Sequence, residues 1–387
     1  MPGLAETVAR LNKLRTMSVR ESAYTDPGSL TELDEFGSNP GALRAKIRVP
    51  EHPGERPALV VVLHGCTQTA VGYDIGAGWS QLADQLGFAL LFPEQQRQNN
   101  PNLCFNWFSP EDNRRDRGEA LSIRQMIAAM IDRHGIDPAR VFVTGLSAGG
   151  AMAGVMLATY PEIFAGGAII AGLPYGCANT TPQAFDAMRG HGMPKGPALA
   201  GLVRNASKHE GDWPRVSIWH GSGDATVNPV NADALVEQWR TLHSVGPEPS
   251  RVGPVDGYPR RVWCDAEGRE VVEEFSITGM GHGTPLATSG ADGVGKSGAF
   301  MIEASISSTR HICRFWGLLE GVTYARVEPS AVSGSSVQER LPVVEPVRFQ
   351  PSHATHPEVL RPVEKGERAS GIQKVIEDAL RAAGLMR

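Results

Sequence analysis

Gly145-Leu146-Ser147-Ala148-Gly149 is the stretch on which the reading of this chain turns. It follows an apolar, β-branched run at residues 141–144 and precedes a small-residue helical segment at 150–160. A G-x-S-x-G between strand and helix makes a sharp turn that holds the serine at positive φ. Side chains two residues to either side would collide with the adjoining strand and helix, so glycine takes both places. The serine Oγ then stands exposed at the positive end of a helix dipole, where developing negative charge is favoured. Five residues match by chance often enough; the strand before and the helix after identify Ser147 as a candidate nucleophile.

Working outward, the chain alternates apolar runs and amphipathic stretches. Strands are expected at residues 45–49, 58–63, 88–92, 141–144, 167–171, 216–219 and 273–277, and helices at 79–86, 119–134, 231–243 and 302–319. The run at 58–63 has the character of a strand buried on both faces. This order implies an α/β fold: a mostly parallel, doubly wound sheet covered by helices on both faces. The catalytic domain is expected over residues 43–325. Residues 173–214 lack clean periodicity and read as a cap or lid inserted over the carboxyl edge of the sheet. An amphipathic helix over residues 1–20 and an irregular arm, together residues 1–42, precede the domain. Residues 326–387 follow it as an extended, proline-rich tail ending in an amphipathic helix, 372–385, whose apolar face could meet a second copy of the chain.

The chain has 387 residues, 41% hydrophobic and 20% charged, with a formal net charge of −5. That balance gives no reason to expect nucleic acid or an anionic membrane as partner. No apolar stretch approaches the roughly 18–20 residues that span a bilayer. Residues 1–19 carry Glu6, Arg10, Lys13 and Arg15 and lack the apolar core of a secretory leader. The five cysteines, Cys66, Cys104, Cys177, Cys264 and Cys313, are too scattered for a disulfide framework, and none is paired at metal-ligand spacing. Neither a metal nor a cofactor is expected.

A serine at neutral pH needs a general base held by an acid. In the α/β-hydrolase arrangement the partners follow in the order Ser, Asp or Glu, His, each after a later strand. Asp224 follows the strand at 216–219 in the glycine-flanked turn Gly221-Ser222-Gly223-Asp224. His282 follows the strand ending at 277, between Gly281 and Gly283, in a loop expected to swing the ring toward Ser147. Alone, Asp224 could be a turn-forming residue and His282 a loop residue; their joint placement after successive strands makes the triad. Asp212 precedes its strand, and His220 lies too close to Asp224 for the usual order. Two backbone N–H groups should form the oxyanion hole. One is that of Ala148, after the nucleophile; the other is that of Cys66, in the His64-Gly65-Cys66-Thr67-Gln68 loop. A catalytic role for the Cys66 thiol finds no elbow or histidine around it.

With LHGCTQTA (63–70), NNPNLCFNWF (99–108), GLSAGGAM (145–152), AGLPYGCA (171–178), WHGSGDATVNP (219–229) and GMGHGTP (279–285), the sequence resembles the polyhydroxybutyrate depolymerase family of esterases, relatives of feruloyl and acetylxylan esterases, over residues 36–320. The resemblance implies an α/β-hydrolase fold and a secreted-type serine esterase acting on short-chain polyesters, hydroxybutyrate oligomers or related esters. It supports Ser147, Asp224 and His282 as the triad and Cys66 and Ala148 at the oxyanion hole. Cys66, Cys104 and Cys177 lie in these motifs, and a bridge among them stays open. Many members carry a leader and a polymer-binding domain; neither is recognisable here, so a soluble substrate is expected, and a cytoplasmic location stays open. Feruloyl or acetylxylan esterase activity is the alternative enzyme reading, and a catalytically inactive binding protein the reading from another class. Trp107, Tyr175 and Trp219 fall in segments that should border the cleft, where aromatic faces hold the organic part of an ester. Core packing is the competing reading of each.

Overall fold

A computed structural model describes residues 30–319. The expected helix at 1–20, the first part of the arm, and the tail with its closing helix lie outside the described residues. Ten strands form one sheet: β1 (Thr31–Glu32), β2 (Arg44–Arg48), β3 (Leu59–Leu63), β4 (Ala89–Glu94), β5 (Val141–Leu146), β6 (Gly166–Ile170), β7 (Arg215–Gly221), β8 (Arg251–Val255), β9 (Tyr258–Cys264) and β10 (Glu270–Ile277). Their spatial order is β1-β2-β4-β3-β5-β6-β7-β10-β9-β8. From β4 to β10 neighbouring strands run parallel. The outer strands, β1, β2, β9 and β8, pair antiparallel. The fold is therefore α/β, with a large, mostly parallel sheet.

The Leu59-Val60-Val61-Val62-Leu63 run shows why. Leu59, Val61 and Leu63 enter one hydrophobic core while Val60 and Val62 enter the other. A strand that must be apolar on both faces can only sit between two helical layers. One layer contains α3 (Gly118–His134), α4 (Ala148–Thr159), α5 (Thr181–Met188), α6 (Pro197–Arg204) and α7 (Val230–Leu242). The opposite core takes α1 (Ala70–Ala77), α2 (Trp79–Leu86) and α8 (Ser308–Phe315). In α3, Ile123, Met126, Ile127 and Met130 recur at helical spacing and all point into the core.

Several elements differ from the sequence reading. Helix α1 was not expected, because AVGYDIGA contains two glycines and no clean apolar stripe. It forms because Thr69 caps it, its side chain accepting from the N–H of Gly72 at 3.1 Å. Residues 173–214, expected as a cap or lid without clean periodicity, contain α5 and α6, whose Ala184, Ala187, Ala200 and Val203 join the main core. The helix expected over 302–319 begins later. Met301–Glu303 forms a strand, β12, parallel to β11 (Thr284–Leu286), and the Ser307 side chain then caps α8 by accepting from the N–H of Arg310 at 3.3 Å. The β8–β9 hairpin was missed as well. Its turn, Asp256-Gly257, has φ of 48° and 85°, the two positive values of a tight I′-type connection. Part of the arm adds β1 to the sheet edge and packs on α3, where the N–H of Gly41 donates to Ser122 Oγ at 2.8 Å.

Candidate active site

Register places the site. Leu63 of β3 lies beside Gly145, Leu146 beside Ile170, Ile170 beside Trp219, and Gly221 beside Ile277. The carboxyl ends of β3, β5, β6, β7 and β10 therefore line up at one edge, where open α/β sheets bind their ligands. Ser147, Cys66, Asp224 and His282 each lie within five residues of one of those ends.

Ser147 has φ 58° and ψ −119°, a backbone conformation costly for any side chain. Two hydrogen bonds hold it there: its N–H donates to Ile170 O at 2.9 Å, and its C=O accepts from the N–H of Ala151 at 2.8 Å, opening α4. A Cβ on Gly149 would collide with the carbonyls of Leu63 and His64, and one on Gly145 with Gly149. Both glycines are thus required by close approach of backbone to backbone, as the elbow motif demands. Helix α4 is buried throughout, its Ala and Gly residues letting it lie close against the sheet.

The loops after β7 and β10 are stitched together. Ser222 N–H donates to Ile277 O at 3.0 Å, Gly223 N–H to Met280 O at 3.0 Å, and Gly279 N–H to Ser222 Oγ at 2.8 Å. Across this seam, His282 Nδ1 lies 2.7 Å from Asp224 Oδ2. Asp224 Oδ1 accepts from the N–H groups of Thr226 and Val227, at 2.8 and 2.9 Å. Burial works against a charge on Asp224, but hydrogen bonds from His220 and His282 outweigh it and hold the carboxyl well below the usual carboxylate range. His282 is held against Asp224 in the structure, so that contact needs no swing of its loop. A Cβ on Gly221 would strike the carbonyls of Met280 and Gly281, and one on Gly283 would crowd the carbonyl of Phe300 and the side chain of Ile302. Close packing thus requires glycine at positions 221 and 283, whereas a Cβ at 279 or 281 would meet open space.

On the other side of the elbow, Cys66 is joined to Cys104 by a disulfide across 38 residues. Thr67 N–H donates to Asn102 O at 2.7 Å, and Gly65 N–H to Gln68 Oε1 at 2.8 Å. Among the described residues, no protein group accepts from the N–H of Cys66 or of Ala148. Both remain available to an oxyanion. Behind this loop a buried polar cluster converges on Glu119, which accepts from Gln95 Nε2 at 2.5 Å and from the Asn106 N–H and Nδ2, each at 2.8 Å. Burial, reinforced by the Asp112 charge, pushes the Glu119 carboxyl up to about 8 in spite of those donors. Gln95 Nε2 also donates to Cys104 O at 3.1 Å, linking the cluster to the disulfide. Sequence reasoning missed Gln95, Asn106 and Glu119; the dense Asn and Gln content of residues 95–106 was the available signal.

Of the three aromatic candidates, Trp219 must be withdrawn. It lies in β7, buried on both faces, stacks on Phe275 with ring centres 3.8 Å apart, and donates through Nε1 to Ser217 Oγ at 2.8 Å. No part of it is left for a ligand. Trp107 is only 7% exposed and packs edge-on against Phe108. Tyr175 is half-buried; its N–H donates to Gln238 Oε1 at 3.0 Å and its hydroxyl reaches Asn113 O at 3.4 Å. Cys177, Cys264 and Cys313 are free thiols, which leaves Cys66 with Cys104 as the pairing. Among the described residues no helix is long and apolar enough to cross a membrane.

Comparison with known proteins points to an ester hydrolase as well. The family model for esterase PHB depolymerase matches residues 45–246. Poly(3-hydroxyalkanoate) depolymerase C of Paucimonas lemoignei is 46% identical over 294 residues, 75% of this chain and 70% of that protein. An acetylxylan esterase of Coprinopsis cinerea is 34% identical over 274 residues, 67% of this chain and 70% of its own. The solved acetyl xylan esterase from Aspergillus awamori matches with a TM-score of 0.60 at 29% identity, covering 66% of this chain and 94% of that one. Sequence, fold and site thus describe a carboxylic ester hydrolase, and the chain belongs to the esterase PHB depolymerase family.

Proposed function

We propose that the protein hydrolyses 3-hydroxyalkanoate esters, polymer or oligomer, through an acyl-enzyme on Ser147. The observation that carries the chemistry is the 2.7 Å contact between His282 Nδ1 and Asp224 Oδ2 at the sheet edge that also presents the Ser147 elbow. Asp224 stays ionised and fixes the His282 tautomer with Nε2 free as base. His282 takes the Ser147 hydroxyl proton as Oγ attacks the ester carbonyl. The tetrahedral oxyanion accepts from the N–H groups of Cys66 and Ala148. Collapse expels the alcohol, which takes the proton from His282 and leaves the acyl group on Ser147. Water, deprotonated by His282, attacks that acyl carbonyl; a second collapse releases the acid and restores Ser147. The hydroxyalkanoate preference is supported by the 46% identity to a poly(3-hydroxyalkanoate) depolymerase.

The test is an ester panel: hydroxybutyrate oligomers, a poly(3-hydroxybutyrate) film, acetylated xylan, methyl ferulate and p-nitrophenyl esters of increasing chain length. Highest kcat/KM on the hydroxybutyrate substrates is expected. The shape match to a solved acetyl xylan esterase favours acetylated xylan as the second reading. Turnover of it, with hydroxybutyrate oligomers left intact, would select that reading.

A further inference from the structure

The Asp224 carboxylate has a second histidine on it. His220, with 3% of its side chain exposed, places Nε2 at 3.4 Å from Asp224 Oδ2 and at 2.9 Å from Val227 O. A carbonyl oxygen can only accept, so the hydrogen must be on Nε2. The other tautomer would set a bare nitrogen against two oxygens. Nε2–H is therefore directed at the carbonyl, with the carboxylate a longer contact at 3.4 Å, while Nδ1 is a buried acceptor with no hydrogen-bond partner among the described residues.

Around His220 the charges are already matched. It borders a cavity of about 280 Å³ with Asp233 of α7, Arg261 of β9 and Glu274 of β10. Arg261 pairs with Glu274 at 2.7 Å and with Asp233 at 2.9 Å. Asp224, from its own loop, and His282 beyond it complete the set. With Asp233 and Glu274 engaged by Arg261, Asp224 is the carboxylate that His220 meets directly.

We infer that His220 is a positioning residue: anchored on Val227 O, it sets Nε2 3.4 Å from Asp224 Oδ2 and so backs the oxygen that faces His282. The Val227 carbonyl anchors the ring to the backbone of the turn that Asp224 itself caps through Thr226 and Val227. Freed from His220, the carboxylate keeps its bonds to Thr226, Val227 and His282 but loses its backing at Oδ2, and a small drift of that oxygen is enough to slow the reaction. Its charge is also less offset by donors, so His282 becomes easier to protonate.

This inference rests on the triad reading, and the experiment separates the two. His220→Leu, His220→Gln and Ser147→Ala are assayed on p-nitrophenyl butyrate across pH. His220→Leu is expected to lower kcat roughly tenfold with KM within about twofold, and to move the acid limb of kcat/KM to higher pH. His220→Gln sets an amide N–H near the Nε2 place and should recover most of kcat and the original limb. A folded His220→Leu with wild-type kcat and limb overturns the inference. So does a folded His220→Gln that loses kcat tenfold with its limb unmoved, and this decides the matter should the leucine variant fail to fold. Ser147→Ala that keeps activity overturns the triad reading; an inactive Ser147→Ala beside an unaltered His220→Leu removes only the role of His220.

Discussion

On one side of the site, Asp224 and His282 sit on two short loops joined by backbone bonds from Ser222 and Gly223 and by the Gly279 N–H on the Ser222 hydroxyl. On the other, Cys66 sits on a loop held by side chains drawn from residues 95–119 and by a disulfide. The first side is fixed by local turns that admit little except glycine, so its geometry is written in a few adjacent residues. The second depends on polar groups that meet only after the chain has folded. Both lie at the carboxyl edge of the sheet, where the Ser147 turn also sits. Yet the acid–base side leaves no room for a Cβ at Gly221 or Gly283, whereas the oxyanion side depends on a buried carboxyl that few of its neighbours in sequence announce.

The largest expected effect removes what both sides serve. Ser147→Ala should cut kcat on the order of 10⁴–10⁶ while circular dichroism and melting stay close to wild type, since one exposed oxygen is lost. Retention of a tenth of the activity would break the site as drawn. Next comes the oxyanion side. The double variant Cys66→Ser, Cys104→Ser keeps the backbone donor but opens a 38-residue loop. Chain entropy puts the stability loss at about 4 kcal/mol, readable by urea unfolding, with kcat down roughly tenfold as the loop loosens. Full kcat in a destabilised protein would reduce the bridge to a staple with no part in positioning Cys66.

A smaller effect separates the buried Glu119 from everything on the histidine side. Its carboxyl is raised from 4.5 to about 8 in the folded protein. Between those values the folded state binds a proton that the unfolded state has released, so stability is complete at low pH and is lost as pH climbs through the folded value. Melting temperature from about pH 5 to 8 should fall more steeply in wild type than in Glu119→Gln, whose amide does not titrate. Parallel curves would take Glu119 out of the account. The smallest effect belongs to a turn outside both regions. Gly257 has φ 85° with open space around it, so Gly257→Ala should cost only about 1 kcal/mol of backbone strain and leave kcat unchanged. A fall in kcat there would mean that the hairpin communicates with the site.

The same contrast explains what could be read in advance. The elbow, the order of Ser147, Asp224 and His282, and the two-faced burial of β3 all follow from short-range pattern, and each was legible. Trp219 was misplaced because a central strand buries alternate residues on both faces, and nothing local tells which aromatic reaches the edge. The helix expected at 302–319 absorbed a strand because Met301–Glu303 is three residues long and gains its partner only from β11. His220 was set aside on sequence spacing, a rule about where the triad acid follows its strand and silent about a second donor to the same carboxylate. The Asp256-Gly257 pair, in contrast, carried a hairpin signal that its arginine- and proline-rich flanks obscured.

Those flanks have a use of their own. With Val255 and Tyr258 closing the turn, Pro254 faces Pro259 in the pairing, a position whose backbone groups point away from the partner strand. The outward N–H that Pro254 lacks is one that a strand from another molecule would need, and it leaves Val252 as the other outward donor of β8. At the far margin, β1 offers only two residues. A ten-stranded sheet with long free borders would invite chains to add to one another end on end, as aggregates do. Among the described residues one border is chemically blunted and the other is cut short, which works against copies of this chain adding to one another strand by strand.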